Sequence, residues 1–265
     1  MQFQDLFKSK KPLISCIHLM PLPGAPRYTG SMSQVIDTAL TEVEIFNRYQ
    51  VDGLIVENFR DQPFYPQKLP PETIAALAAA TREIVAAAGI PVGVNALRND
   101  AHAALAVATA SEAHFIRVNV HMHAVVSDQG LLQGMSHETL RLRAALQSDV
   151  LIFVDAGVKH ASPLGERRLD LETRDLEERG CADALIVSGA ATGSEADTED
   201  IDRVKQNTNL PVLIGSGATP ENIEKLYSKT DGFIVGSYFK KDGKAENLVE
   251  AERVRIFTDK LKALV

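Results

Sequence analysis

Eight short runs rich in Val, Ile and Leu recur along the chain, most of them closing on Gly, Asn or Asp. They are "LISCIHL" from Leu13, "GLIVEN" from Gly53, "PVGVNAL" from Pro91, "FIRVNV" from Phe115, "VLIFVDAG" from Val150, "ALIVSG" from Ala184, "PVLIGSG" from Pro211 and "GFIVGS" from Gly232. The runs are apolar at successive positions rather than at every second one. Both faces of each strand must therefore be covered, which is the demand of a parallel sheet packed under helices. The intervening segments have helical periodicity and recognisable ends: Ser33 caps "QVIDTALTEVEIFNRY", Ser136 caps "HETLRLRAALQ", and Thr219 precedes Pro220 and Glu221. Gly89 and Gly180 suit helix C-termini. Strand starts fall roughly 20–40 residues apart, the spacing of βα units. No linker or low-complexity tract interrupts residues 1–265. The expectation is an α/β fold, a single-domain (β/α)8 TIM barrel. An open doubly wound sheet would want a glycine-rich fingerprint after the first strand, where "HLMPLPGAPRY" stands instead.

A barrel of this kind carries its site at the C-terminal ends of its strands, with a phosphate commonly bound by the loops after strands seven and eight. Those loops here are "GSG" at Gly215, Ser216 and Gly217, and the echo at Gly236 and Ser237. Glycine lets a backbone approach an anion closely, so these five residues are expected to bind phosphate. The plainer alternative is turn chemistry at two strand ends.

Polar residues follow the apolar run of almost every other strand. Asp155 and Glu57 are the candidates for proton exchange, with His121 as their partner. Arg117, on a strand covered on both faces, must find an anion or a carboxylate. Lys159 is read as binding a charged group rather than forming a Schiff base, since it lies beyond its strand's end. Asn58, Asn95, Arg98, Asn99, Asn119, His160 and Ser188 complete the expected ligand-binding rim. His121 and His123 have a spacing that metals accept, but no H-E-x-x-H motif or cysteine partner accompanies them. No metal site and no cofactor is assigned, and a divalent metal travelling with the phosphate is left open.

Lys+Arg 28 against Asp+Glu 35 gives a net charge of -7, which argues against polymeric nucleic acid or an anionic membrane as partner. Cys16 and Cys181, beside or within strands, read as small buried hydrophobes and give no disulfide framework. No signal peptide or membrane span is expected, so the chain reads as cytoplasmic. Assembly into a homo-oligomer is compatible with the sequence.

The chain resembles the BtpA family through "HLMPLPGAPRY", "VDGLIVENFRDQPF", "PVGVNALRND", "FIRVNVH" with "SDQG", "VKHASPL", "ADALIVSGAATG", "PVLIGSGATPEN" and "DGFIVGSYFKKDG". The resemblance implies a (β/α)8 barrel. It singles out many of the same rim positions and adds Asp100, Asp128 and Gln129. His123 departs from the small residue the family tends to have there, as do Tyr49 and Gln50 from a pair of glycines. The family is named for a factor associated with photosystem I biogenesis and includes sugar-operon proteins of unassigned activity, so it implies no reaction. Two functions follow as expectations. One is an enzyme acting on a small phosphorylated metabolite, a sugar or nucleoside phosphate, by isomerase, lyase or transferase chemistry. The other is a non-enzymatic accessory factor.

Overall fold

The computed structural model describes residues 1–158, 160–166, 168–189, 193 and 196–264. Each apolar run becomes a strand: β1 Leu13–His18, β2 Gly53–Glu57, β3 Val92–Asn95, β4 Phe115–Val118, β5 Leu151–Asp155, β6 Ala184–Val187, β7 Val212–Ile214 and β8 Gly232–Val235. Neighbours in sequence pair in parallel and β8 closes on β1, forming an eight-stranded barrel. A helix follows every strand: α1 Met32–Arg48, α2 Pro71–Ala88, α3 Ala101–Ser111, α4 Ser136–Ala145, α5 Leu169–Glu178, α6 Thr198–Gln206, α7 Ile223–Tyr227 and α8 Ala251–Lys262.

Alternation along the strands divides the apolar residues into two cores. Outward positions such as Leu54, Val56, Val92, Val94, Ile116 and Val118 pack under the helices. Inward positions, including Ile14, Ile55, Phe115, Phe153, Ile186 and Leu213, fill the barrel. Phe115 and Phe153 stack with centroids 4.4 Å apart. That arrangement requires Gly93, because a Cβ there would lie 2.3 Å from the Phe115 ring. The lower end is stoppered by a short N-terminal helix, Phe3–Leu6, whose Phe3 packs on Phe153 while Phe7 packs on Phe115.

Strands are also clasped in pairs at that lower end. The residue before each even-numbered strand accepts, through its side chain, a backbone N–H near the start of the strand before it. Asp52 accepts from Leu13 at 2.8 Å, His114 from Val92 at 3.3 Å, Asp183 from Ile152 at 2.8 Å and Asp231 from Val212 at 2.9 Å.

Helix ends differ from expectation in detail. Ser31, not Ser33, caps α1 by accepting from the Gln34 N–H. Met135 occupies the cap of α4, and Ser136 is its first residue. The helix expected from Pro220 begins at Ile223, because the Asn222 side chain bonds Thr219 N and Gly217 O and so holds the intervening residues in a turn. Cys181 is exposed and lies outside the strands, on a left-handed backbone at φ 48° just before β6. Antiparallel strands Ala124–Ser127, Gly130–Gln133 and Ala161–Pro163 form a small sheet from the loops after β4 and β5.

Candidate active site

At the upper turn of the barrel the inward positions change from apolar to polar. Alternation places His18 two residues above Cys16, Glu57 above Ile55, and Asp155 above Phe153. Register then sets neighbours side by side, His18 opposite Glu57 and Glu57 opposite Asn95.

Arg117 is the hub. Its Nε lies 3.0 Å from Asp155 Oδ1 and its Nη2 3.1 Å from Oδ2, a bidentate pair, and Asn119 Nδ2 adds a third bond to Asp155 at 2.7 Å. Arg117 Nη1 also faces Glu57 Oε1 at 3.7 Å. Burial opposes the guanidinium's charge, but Asp155 and then Glu57 outweigh it and hold Arg117 above its ordinary range. Glu57 Oε1 accepts from Asn95 Nδ2 at 3.0 Å, and its other oxygen lies 3.5 Å from His18 Nε2. His18 Nδ1 stands 2.8 Å from the Ala245 carbonyl, which can only accept, so the proton sits on Nδ1. Phe59 stacks on the His18 ring at 4.2 Å.

Two cavities meet at Glu57, Phe59 and Arg117. One, about 220 Å³, is a cup formed by Gly215–Thr219, Gly236–Tyr238 and Gly193, with Arg253 at its edge. Among the described residues, no protein acceptor takes the N–H groups of Gly217, Ala218, Ser237 or Tyr238. Ser216 Oγ accepts from Gly189 N at 2.8 Å and braces the cup wall. Gly215 is required by packing, since a Cβ there would lie 2.4 Å from Ile186 and 2.6 Å from Ser188 Oγ. Gly217 is required by its φ of 73°. The second cavity, about 480 Å³, is walled by Asn95, Arg98, Asn119, Asp128, Gln129 and His160. Burial lowers the pKa of Arg98, with Asp155 the largest opposing influence.

Most of the rim named from sequence therefore converges here. Asn119 Oδ1 and Ser188 Oγ are buried with no hydrogen-bond partner among the described residues, an arrangement that suits a ligand. Asn58 and Asn99 lie close by with their side chains committed elsewhere. Asn58 bonds both backbone groups of Leu97, and Asn99 both of Val120, so each ties one loop to another. Asp100 caps α3 and accepts from Leu69 N. Lys159 lies outside the described residues.

His121 stands apart from Arg117 and Glu57, though with Asn119 and Asp155 it lines a third cavity of about 510 Å³. Its Nε2 donates to the Gly180 carbonyl at 2.8 Å, beyond the end of α5, and it lines neither of the first two cavities. His123 is turned toward Asp175 at 3.6 Å, so the two imidazoles do not converge. Burial lowers the His121 pKa, the Gly180 bond offsetting part of that effect, and Nδ1 has no partner among the described residues. The unfolded ring then takes up a proton before the folded one, so stability is lost as pH falls below about 6.5. His121→Gln is expected to remove that component, whose slope reaches at most about 1.4 kcal/mol per pH unit. Urea midpoints at pH 7 and pH 5 check it, and parallel pH dependence in both proteins would count against it.

Cys16 and Arg253 were not singled out by the sequence. Cys16 carried a signal in "SCIH", where alternation puts Cys16 and His18 on one face. Arg253 had none, because it arrives from α8, leaning over Tyr238 at 4.3 Å.

A closed parallel barrel with buried charges and paired cavities at the C-terminal ends of its strands defines a TIM-barrel protein with a ligand-sized mouth. The chain belongs to the BtpA family, whose profile matches residues 9–263. It is 42% identical to the photosystem I biogenesis protein BtpA of Synechocystis sp., across 98% of this chain and 91% of that one. It is 41% identical to an uncharacterized protein of Thermococcus kodakarensis, across 96% of this chain and 97% of that one. Among solved structures, phosphoribosyl anthranilate isomerase from Thermus thermophilus superposes with a TM-score of 0.61 at 13% identity, covering 96% of this chain and all of that one, 100%. That likeness is one of fold. No helix among the described residues is long and apolar enough to cross a membrane.

Proposed function

We propose that the protein is an enzyme acting on a small phosphorylated metabolite, with the phosphate in the Gly215–Ser237 cup and the reacting part in the adjoining cavity. The observation that carries this reading is the junction itself. A cup rimmed by N–H groups with no protein acceptor among the described residues opens onto a cavity walled by charged and amide side chains, and the two share Glu57 and Arg117. Backbone N–H groups gathered at glycine turns suit a phosphate. Asp155 is saturated by Arg117 and Asn119, which suits an anchor more than a base. Glu57, which faces both cavities, is better situated to act on the reacting centre. Isomerisation, carbon–carbon or glycosidic cleavage and group transfer are all open to such a site. The phosphoribosyl group in the neighbouring isomerase's name agrees with this substrate class but adds no weight of its own.

The test is a thermal-shift screen against inorganic phosphate, sulfate, sugar phosphates and nucleoside phosphates, repeated on Ser237→Asp. A ligand at a hundredfold excess over its Kd adds about 2.7 kcal/mol, a rise of roughly 5–10 °C for a domain of this size. The expected result is a rise with one phosphorylated class that Ser237→Asp abolishes. An unchanged rise in the variant would remove the phosphate from the cup. A second reading, an accessory factor acting through its surface, draws on Val126, Leu131 and Leu164, exposed on or beside the small sheet over the mouth. It predicts partner capture that follows these residues and ignores Ser237.

A further inference from the structure

We infer that Cys16, His18 and Glu57 hold a divalent transition-metal ion of the zinc type, with one coordination position open to the cup. The inference goes beyond the phosphate reading and does not need it; in it Glu57 acts on the reacting centre through the ion it holds rather than as a free carboxylate.

The three donor atoms lie within 4.8 Å of one another, and all three residues are buried. Local structure produces the convergence. Strand alternation puts Cys16 and His18 on the same inward face of β1, and parallel register sets Glu57 of β2 opposite His18. A tetrahedral zinc site with metal–donor bonds of about 2.0–2.3 Å requires its donors to stand roughly 3.3–3.6 Å apart. The His18 Nε2 to Glu57 Oε2 distance of 3.5 Å matches that edge.

The surroundings orient the donors as metal ligands are usually oriented. The bond from His18 Nδ1–H to the Ala245 carbonyl fixes the tautomer that points the Nε2 lone pair at Glu57. Asn95 and Arg117 occupy Glu57 Oε1 and turn Oε2 toward His18. Gly236 keeps the approach open, because a Cβ there would stand 3.4 Å from both Cys16 Sγ and His18 Nε2. All three donors line the 220 Å³ cup, so an ion and a ligand oxygen can reach the site from the mouth.

Donor chemistry narrows the ion. Magnesium and calcium want oxygen, whereas one thiolate, one imidazole and one carboxylate suit zinc, cobalt or iron. Three protein ligands with a fourth position open are the pattern of a catalytic rather than a structural zinc. There the ion would polarise an oxygen of the molecule in the cup.

The experiment is metal analysis of the full-length protein, loaded with zinc or with cobalt and then dialysed against metal-free buffer. Wild type is expected to retain about one ion per chain. The cobalt form is expected to show a thiolate-to-metal charge-transfer band. Cys16→Ser should lose the band, and both Cys16→Ser and Glu57→Gln should bind at least tenfold more weakly. Cys181→Ser should keep both band and ion. A wild type that retains no stoichiometric metal, or a cobalt form without the band, overturns the inference even if Cys16→Ser fails to fold. So does a folded Cys16→Ser that holds the ion as wild type does. A failed phosphate screen leaves every one of these readouts unchanged.

Discussion

Arg117→Ala is expected to lower the melting temperature on the order of 10 °C. Asp155, at 3% exposure, and Glu57, at 5%, both depend on the Arg117 guanidinium for compensation. Among the described residues, its removal leaves Asp155 with one hydrogen-bond donor, the neutral Asn119. Breaking a buried ion pair from one side costs about 3–5 kcal/mol, and each kcal/mol moves the melting point by roughly 2–4 °C in a domain approaching this size. The Arg117→Ala, Asp155→Ala double variant should be less unstable than the sum of its singles, because the stranded carboxylate is gone. Chemical denaturation of the four proteins measures the coupling. A loss under about 1 kcal/mol in Arg117→Ala would mean that the surrounding dipoles, and not the guanidinium, compensate Asp155.

Lys240→Ala is expected to cost as much, about 3–5 kcal/mol, for the same physical reason. Lys240 stands between two 3-10 turns, Ser237–Phe239 and Lys241–Gly243, behind the cup and has no exposed surface; its Nζ donates to Glu42 of α1 at 2.9 Å. Burial lowers the Lys240 pKa, with Glu42 as the main opposing influence. Without the lysine, Glu42 keeps, among the described residues, the Val249 N–H at 3.0 Å and the nearby charge of Arg60. The paired replacement Lys240→Met, Glu42→Leu should be close to neutral or stabilising, since both desolvated charges leave together. Equilibrium unfolding of the single and paired variants decides it. A paired variant as unstable as the single one would show that the ion pair is needed for packing in a way that methionine and leucine cannot replace.

The barrel was legible because its signal is repeated. Eight runs apolar on both faces leave few alternatives, and every barrel strand began within one residue of its expected start. Helix caps were less legible, since "SMS" offers two serines to α1 and only backbone geometry selects Ser31. The stopper Phe3–Leu6 and the small sheet were missed because each is too short for periodicity to register. At the mouth, residue type and strand position were enough to name Glu57, Asn95, Arg117 and Asp155 as neighbours. What they could not give was direction. His121 follows Asn119 by two residues, yet the chain leaves the strand after Val118, and its ring turns to Gly180. Cys16 was read by its hydrophobicity, although its place two residues before His18 on an inward face was already in the sequence.

The clasps at the lower end have a consequence for the upper one. By joining β1 to β2, β3 to β4, β5 to β6 and β7 to β8, they leave side-chain seams between the pairs. The mouth stitches three of these: Asn95 to Glu57 across β3 and β2, Arg117 to Asp155 across β4 and β5, and Ser216 to Gly189 across the loops after β7 and β6. The groups suited to handle a ligand are thus also the upper seam of the barrel. Redesigning them for a new ligand would loosen the staves, unless other cross-strand bonds were supplied in the same places.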